Sequence, residues 1–156
     1  MNRTIRPTVA GLGLSLCATF AAAQGFTPEM AQETRERHMH VMAAHLGLIG
    51  AMAKGEAEYD AGVARSAAEA ISALAETSGT LYWVRGSSSE DLEDSRALPA
   101  LWQDMESFDT YHEDLVAAAA GMESAAGTDL AALRAAMGPL GKVCSTCHED
   151  FRKPEE

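Results

Sequence analysis

Apolar residues in this chain recur at alternating spacings of three and four, and glycine or proline interrupts the pattern at intervals. This spacing keeps one stripe of each segment turned toward a core and is typical of amphipathic helices. No segment alternates with the period of two that a half-buried strand requires. The pattern predicts an all-α protein, and four helices joined by two short links and one long link indicate an antiparallel four-helix bundle.

Capping signals give the expected helix bounds. Hydroxyl or carboxyl side chains can cap the first free N–H groups of a helix, and glycine or proline stops it. Between the second and third helices lies a polar loop; we expect its residues 87–95 to be solvated and its bulky residues 81–83 to pack on the core. Val63 is expected in the core of the second helix. The predicted helices run from Pro28 to Lys54, Ala61 to Thr77, Pro99 to Ser124, and from Thr128 as a cap to about Lys153.

Residues 1–23 have the layout of a secretory signal peptide. Two arginines precede an uncharged apolar run, and three alanines precede Gln24. The run is short for a bilayer span and contains two glycines. We therefore expect cleavage before Gln24, export to the periplasm, and a mature four-helix-bundle domain over 24–156. Cys17 would leave with the signal.

The mature chain is strongly acidic. The net charge of the full sequence is −11, and the expected cleavage removes two arginines and no acid, which leaves −13. Such a surface repels phosphate backbones and anionic headgroups. Nucleic acid and membranes are therefore excluded as partners, whereas redox partner proteins with basic docking patches fit.

Cys144, Cys147 and His148 form the CxxCH pattern of covalent haem attachment. Helix positions three apart lie on one face at about 5–6 Å, so two thiols can reach the two vinyl groups of one porphyrin. A disulfide is an alternative, but its redox version belongs to a mixed sheet fold. A zinc site would need a fourth ligand that no second motif supplies. The pattern predicts one covalent haem c per chain, with His148 as the proximal iron ligand.

The whole mature chain resembles the class II c-type cytochromes, the cytochrome c prime family. The resemblance implies a haem lying between helices near the C-terminal helix, Met39 above the iron opposite His148, and Arg35 beside a haem propionate. The residues that carry it are PE at 28–29, Arg35 four residues before Met39, KGExxYD at 54–60, the Trp83 region, and LRAAMGPLGKVCSTCHEDFR at 133–152.

This family includes two kinds of protein, and the resemblance implies one of two functions. In the first, which we expect, Met39 is the distal ligand of a low-spin monohaem electron carrier, because a thioether is a recognised sixth ligand. In the second, the iron is high-spin and five-coordinate and binds nitric oxide or carbon monoxide. A helical adaptor with a disulfide and no cofactor is a third hypothesis. No acid–base pair or nucleophile is implied, so we expect no enzyme activity; the chain could be a monomer or a homodimer.

Other residues have expected places around this site. Phe151 should pack against the ring, and Arg152, one turn beyond His148, should cover its proximal face. Four histidines lie off the main apolar stripes or in a charged stretch, and we expect them to be exposed: His38, His40, His45 and His112.

Overall fold

The computed structural model describes residues 25–77 and 80–154 of the chain. Its four long helices form an antiparallel four-helix bundle, in which α1 and α4 each pack against both α2 and α5. The all-α prediction is confirmed. The expected signal peptide lies outside the described residues, as does Gly79, which we expect to stop the second helix. The helices of the described part are α1 (Pro28–Lys54), α2 (Ala61–Thr77), α3 (Ala100–Gln103), α4 (Met105–Ala126) and α5 (Leu130–Phe151).

The first helix has the predicted bounds. The Oγ1 atom of Thr27 accepts the N–H of Met30 at 3.3 Å, and Pro28 occupies the first turn. Gly55 ends the helix with a φ of 78°, in the left-handed region that glycine tolerates without a Cβ clash. The N–H of Gly55 donates back to Met52, which satisfies a carbonyl of the last turn. Asp60 caps α2 as predicted, by accepting the N–H of Val63 at 2.9 Å.

The single third helix of the sequence prediction is wrong, because the chain breaks it at Asp104. This residue leaves the helical conformation, with φ −133° and ψ 65°, and so separates α3 from α4. Its carboxylate accepts the N–H of Ser107 at 3.1 Å and caps α4. A local bond between an aspartate and the backbone thus competes successfully with the apolar stripe that continues through the break.

The last helix also differs from the prediction at both ends. Asp129, and not Thr128, is its N-cap, since the Asp129 carboxylate accepts the N–H of Ala132 at 2.8 Å. At its other end α5 stops at Phe151, because Arg152 turns into an isolated antiparallel bridge with Ala97. This bridge ties the end of the haem-motif helix to the loop between α2 and α3.

The buried side chains form two clusters. The larger one joins all four long helices and is built from alanine, methionine, leucine and isoleucine, with Ile49, Ile71 and Met122 almost fully buried. A smaller, mainly aromatic cluster surrounds Phe108 and Phe151 at the end of the bundle that carries the cysteine motif. The prediction of Val63 as a core residue is wrong: it is 44% exposed. The buried face of α2 begins one residue later, at Ala64.

The long loop is only partly as expected. We call its residues 82–98 the strap, because they run from α1 to the end of α5. Leu81, just before the strap, is 69% exposed, whereas Tyr82 and Trp83 are half-buried. The expectation of a solvated 87–95 segment is wrong for Ser87, Ser88 and Ser95, which are buried, and holds for its acidic side chains, which are exposed. Ser87 and Ser95 are also bonded to Arg35 of α1.

No helix among the described residues is long and apolar enough to cross a membrane.

Candidate haem site

A mostly apolar cavity of about 450 Å³ lies between α1, α4, α5 and the strap. The haem motif on α5 forms one wall, and Met39 on α1 lies in another. The strap adds Trp83 and the pair Asp94 and Arg96 at the rim. The cavity therefore brings together residues of the first and the last described helix.

The two motif cysteines lie on the same face of α5 and line this cavity. Both are free thiols and half-buried. Burial raises the pKa of Cys144, and burial together with Cys144 and Asp150 raises the pKa of Cys147 to about 11. The thiols are therefore protonated at neutral pH in an apolar wall, a setting that a neutral thioether also suits.

His148 follows on α5 and lines the same cavity. Burial is the main cause that lowers the pKa of His148, and the positive charges of Arg152 and Arg96 act in the same direction. The imidazole is therefore neutral at neutral pH. Neutral imidazole is the form that offers a nitrogen lone pair to a metal.

Met39 is half-buried on α1 and shares this cavity with His148. Around it α1 contributes further apolar side chains, Met42, Ala43 and Leu46. Because α1 packs against α5, the bundle holds the Met39 thioether and the His148 imidazole in walls of one cavity.

Arg35 lines the cavity, and its guanidinium is bound to the strap. The side chain is 7% exposed and donates to the Tyr82 carbonyl at 2.8 Å and the Ser87 carbonyl at 3.0 Å. It also donates to the hydroxyls of Ser87 and Ser95, each at 3.2 Å, and lies 4.9 Å from the centre of the Trp83 ring. Burial lowers its pKa to about 10, so the group remains charged at neutral pH. The expected contact with a haem propionate stays a prediction beside this observed role.

Aromatic side chains support the proximal side of the motif. Phe151 is buried and packs against Phe108 and Tyr111, with ring centres 6.3 and 5.9 Å apart. The hydroxyl of Tyr111 donates to the Asp150 carboxylate at 2.7 Å. These contacts connect α4 to the last turn of α5 and so hold the helix that carries His148.

The histidines do not all lie where they were expected. His40 is exposed, as predicted. His38 is 9% exposed and packs against the Tyr82 ring, so its prediction is wrong. His112 is half-buried, and its Nε2 atom lies 3.0 Å from the Ala75 carbonyl. His45 is half-buried too. His38 and His112 are covered by neighbouring elements, which the periodicity of their own helices does not reveal.

Sequence reasoning missed three residues of the site. Asp94 lies in the 87–95 segment that was expected to be solvated, and no role was predicted for Arg96 or Tyr111. A signal for Tyr111 existed, because it follows Phe108 by three residues and continues the apolar stripe of α4. No local signal existed for Asp94 and Arg96, because their position depends on pairing with the distant end of α5.

The residues present fit a haem c. Two thiols on one helical face, an adjacent neutral imidazole and an apolar cavity match its covalent attachment and its axial ligation. Within 25–77 and 80–154, no three histidine, cysteine or acidic side chains are grouped to hold a metal ion by themselves. The chemistry of this donor set is that of a porphyrin-bound iron.

Comparisons with known proteins agree with this geometry. The family model described as Cytochrome C' matches residues 30–152. Cytochrome c-554 of Cereibacter sphaeroides is 46% identical over 123 residues, which cover 79% of this chain and 92% of that protein. The structure of cytochrome c' from Rhodobacter sphaeroides has a TM-score of 0.80 at 33% identity, and the match covers 83% of this chain and 100% of that one.

Solved structures of related proteins include gas complexes. A carbon-monoxide-bound variant of cytochrome c prime from Alcaligenes xylosoxidans has a TM-score of 0.73 at 29% identity, with 84% of this chain and 100% of that chain covered. Another variant of the same protein holds nitric oxide. The motif, the cavity and these matches lead to one assignment. The chain belongs to the cytochrome c' family of class II c-type cytochromes, four-helix bundles with covalently attached haem c.

Proposed function

We propose that this protein is a periplasmic haem protein of the cytochrome c' kind, which binds a diatomic gas at its haem iron. The observation that carries the proposal is the single cavity that joins the haem motif of α5 to an apolar wall on α1. The carbon monoxide and nitric oxide complexes of related proteins support the choice of ligand. The comparisons thus favour this function over the electron carrier that we expected first.

In this proposal the last helix holds the haem. Cys144 and Cys147 attach it through thioethers, and His148 is the proximal ligand. A haem held there would supply an iron to which a diatomic gas can bind. Tyr111 of α4 keeps α5 in place, because its ring packs against Phe151 beside the motif.

Met39 serves as an unligated lid over the distal side. Its unbranched thioether side chain fills space adaptably and can yield to a small ligand. The neighbouring Met42 and Leu46 exclude water from this wall, since both are buried or half-buried and apolar. A small apolar ligand is favoured in such a space over an anion or a polar substrate.

Arg35 supplies a counter-charge for a haem propionate. The guanidinium is buried, yet no carboxylate among the described residues lies within ion-pair distance of it. A buried charge is costly without an opposite charge nearby. A propionate at this wall would provide one, in addition to the neutral acceptors on the strap.

One observation favours a second function, electron transfer. The thioether of Met39 lies in the same cavity as His148, and methionine with histidine is a known axial pair of electron-carrying cytochromes. In that case the acidic strap residues Glu90, Asp91, Glu93 and Asp94, which are exposed, would face redox partners with basic docking patches.

Two substitutions of Met39 distinguish these functions. Met39→Leu keeps the size of the side chain but removes the sulfur, and Met39→Ala removes most of the lid. If Met39 is a lid, the wild type has a high-spin visible spectrum, Met39→Leu leaves it unchanged, and Met39→Ala binds carbon monoxide several-fold faster in flow experiments. If Met39 is an iron ligand, the wild type is low-spin and both variants become high-spin.

Met30→Leu is the matched control, because Met30 also lies on α1 but is 53% exposed. It should change neither the spectrum nor the rate. A low-spin wild type that does not bind carbon monoxide would reject gas binding and leave electron transfer as the function.

A further inference from the structure

The strap is held at both of its ends. At its start Arg35 of α1 binds the carbonyls of Tyr82 and Ser87. At its end the N–H of Leu98 donates to the Phe151 carbonyl at 2.9 Å, and the N–H of Lys153 donates to the Arg96 carbonyl at 2.7 Å. The strap therefore connects the first helix to the end of the last one, across the side of the cavity that Trp83 lines.

Two buried serines of the strap add hydrogen bonds to Arg35 on α1. Ser87 is 0% exposed and Ser95 is 3% exposed. The Ser87 hydroxyl accepts from Arg35 and donates to the Val84 carbonyl at 2.6 Å. The Ser95 hydroxyl likewise accepts from Arg35 and donates to the Ser87 carbonyl at 2.8 Å. Each hydroxyl thus relays a hydrogen bond from the guanidinium to the backbone of the strap.

This arrangement is costly to disturb. A buried donor or acceptor that loses its partner costs about 1–3 kcal/mol, more than a hydrogen bond contributes net. Removing the serine hydroxyls would leave Arg35 N–H groups and the Val84 carbonyl without these partners inside the protein. Water would have to enter to satisfy them, and Arg35 and Trp83 both line the cavity, so this water would stand beside the haem site.

We propose that Ser87 and Ser95 are positioning residues for the haem: together with Arg35 they lock the strap over the cavity, keep water away from the haem, and thereby keep its reduction potential high. Burial in an apolar environment is one of the means by which a protein tunes a haem, because water stabilises the more highly charged ferric state. The inference depends on haem binding and not on the choice between gas binding and electron transfer.

The test is the double variant Ser87→Ala/Ser95→Ala in the holoprotein. It removes both hydroxyls but leaves the charge of Arg35 and all side chains of the cavity wall in place. We expect two changes together: faster hydrogen exchange at strap amides such as those of Ser89 and Leu92, and a lower haem reduction potential by spectroelectrochemistry. Ser89→Ala is the matched control, since the Ser89 side chain takes no part in the lock; it should change neither measurement.

Two further variants keep the test decisive. Ser95→Ala alone, a milder change, should give smaller shifts in the same directions if the double variant does not fold. Arg35→Lys keeps a positive charge but lacks the planar fork that reaches two serines, so it should resemble the serine variants. If Arg35 acts only as a charge, Arg35→Lys and the serine variants will all keep the wild-type potential. An unchanged potential, with or without faster exchange of the strap, overturns the proposal.

Discussion

Arg35, His38 and Met42 lie on one buried stripe of α1, with the three-and-four spacing of an apolar face. Two of the three are polar, so the apolar periodicity of the sequence does not extend this stripe back to Arg35, although Met42, Ile49 and Met52 continue it toward the end of the helix. Arg35 and His38 have the spacing of buried residues, but their polar side chains predict exposure. The strap buries them, and it comes from far along the chain.

His38 makes the stability of the fold depend on pH. Burial lowers the pKa of His38, and the Leu74 backbone acts in the opposite direction with a smaller effect. The unfolded chain therefore binds a proton more readily than the folded one, and stability falls as the pH drops below the ordinary histidine value of about 6.5. We expect the free energy of unfolding, from urea titrations, to decrease between about pH 7 and about pH 5.

His38→Gln should reduce this decrease, because the variant has no group at this position that can take up the proton. The Soret band of each sample serves as the check that the haem site is intact. Equal pH slopes for the wild type and the variant would show that His38 does not contribute to the acid sensitivity.

Helix bounds could be predicted from the sequence where a capping residue marks them clearly. The bounds of α1 and α2 follow from Thr27, Gly55 and Asp60 and were predicted correctly. The third helix was not, because the apolar stripe continues through Asp104 although the backbone does not. The start of α5 was predicted one residue too early, with Thr128 as the cap, because threonine and aspartate both cap helices and only the backbone geometry selects Asp129.

Asp129 should stabilise α5, the helix that carries the haem motif, through its N-cap. Its carboxylate satisfies a first-turn N–H of α5 and lies at the positive end of the helix dipole. We expect Asp129→Ala to lower the free energy of unfolding by about 1 kcal/mol, and Asp129→Asn to retain most of it, since an amide oxygen can also cap. Urea unfolding measures both.

Thr128→Ala is the companion control for that prediction. The Thr128 hydroxyl donates at 3.4 Å to the Ser124 carbonyl and takes no part in the cap, so its loss should have little effect on stability. A loss for Thr128→Ala as large as that for Asp129→Ala would contradict the assignment of the cap.

The two buried clusters lie in different parts of the bundle, one in the helical core and one beside the haem motif. The aliphatic cluster joins the four helices through one part of the bundle, and the aromatic cluster surrounds the motif end. The bundle and the haem motif could be predicted because each depends on residues close in sequence. The strap could not, because its contacts with α1 and α5 are between residues about 50 positions apart or more, and no local pattern encodes them.

The mature form of the whole molecule is itself a prediction. If residues 1–23 are removed on export, protein purified from the periplasm of a host that matures c-type cytochromes should have one intact mass, that of the chain from Gln24 plus one haem c. Cys144→Ala/Cys147→Ala should lose the covalent cofactor while being processed at the same site. A mass that includes residues 1–23 would contradict cleavage, and a wild-type mass without haem would contradict attachment through this motif.

The antiparallel bridge between Ala97 and Arg152 has a consequence for the order of assembly. Its two residues are 55 positions apart in the sequence, so the wall formed by the strap is complete only once the final turn of α5 has docked. We therefore expect the porphyrin to reach the two cysteines before this docking step closes the pocket.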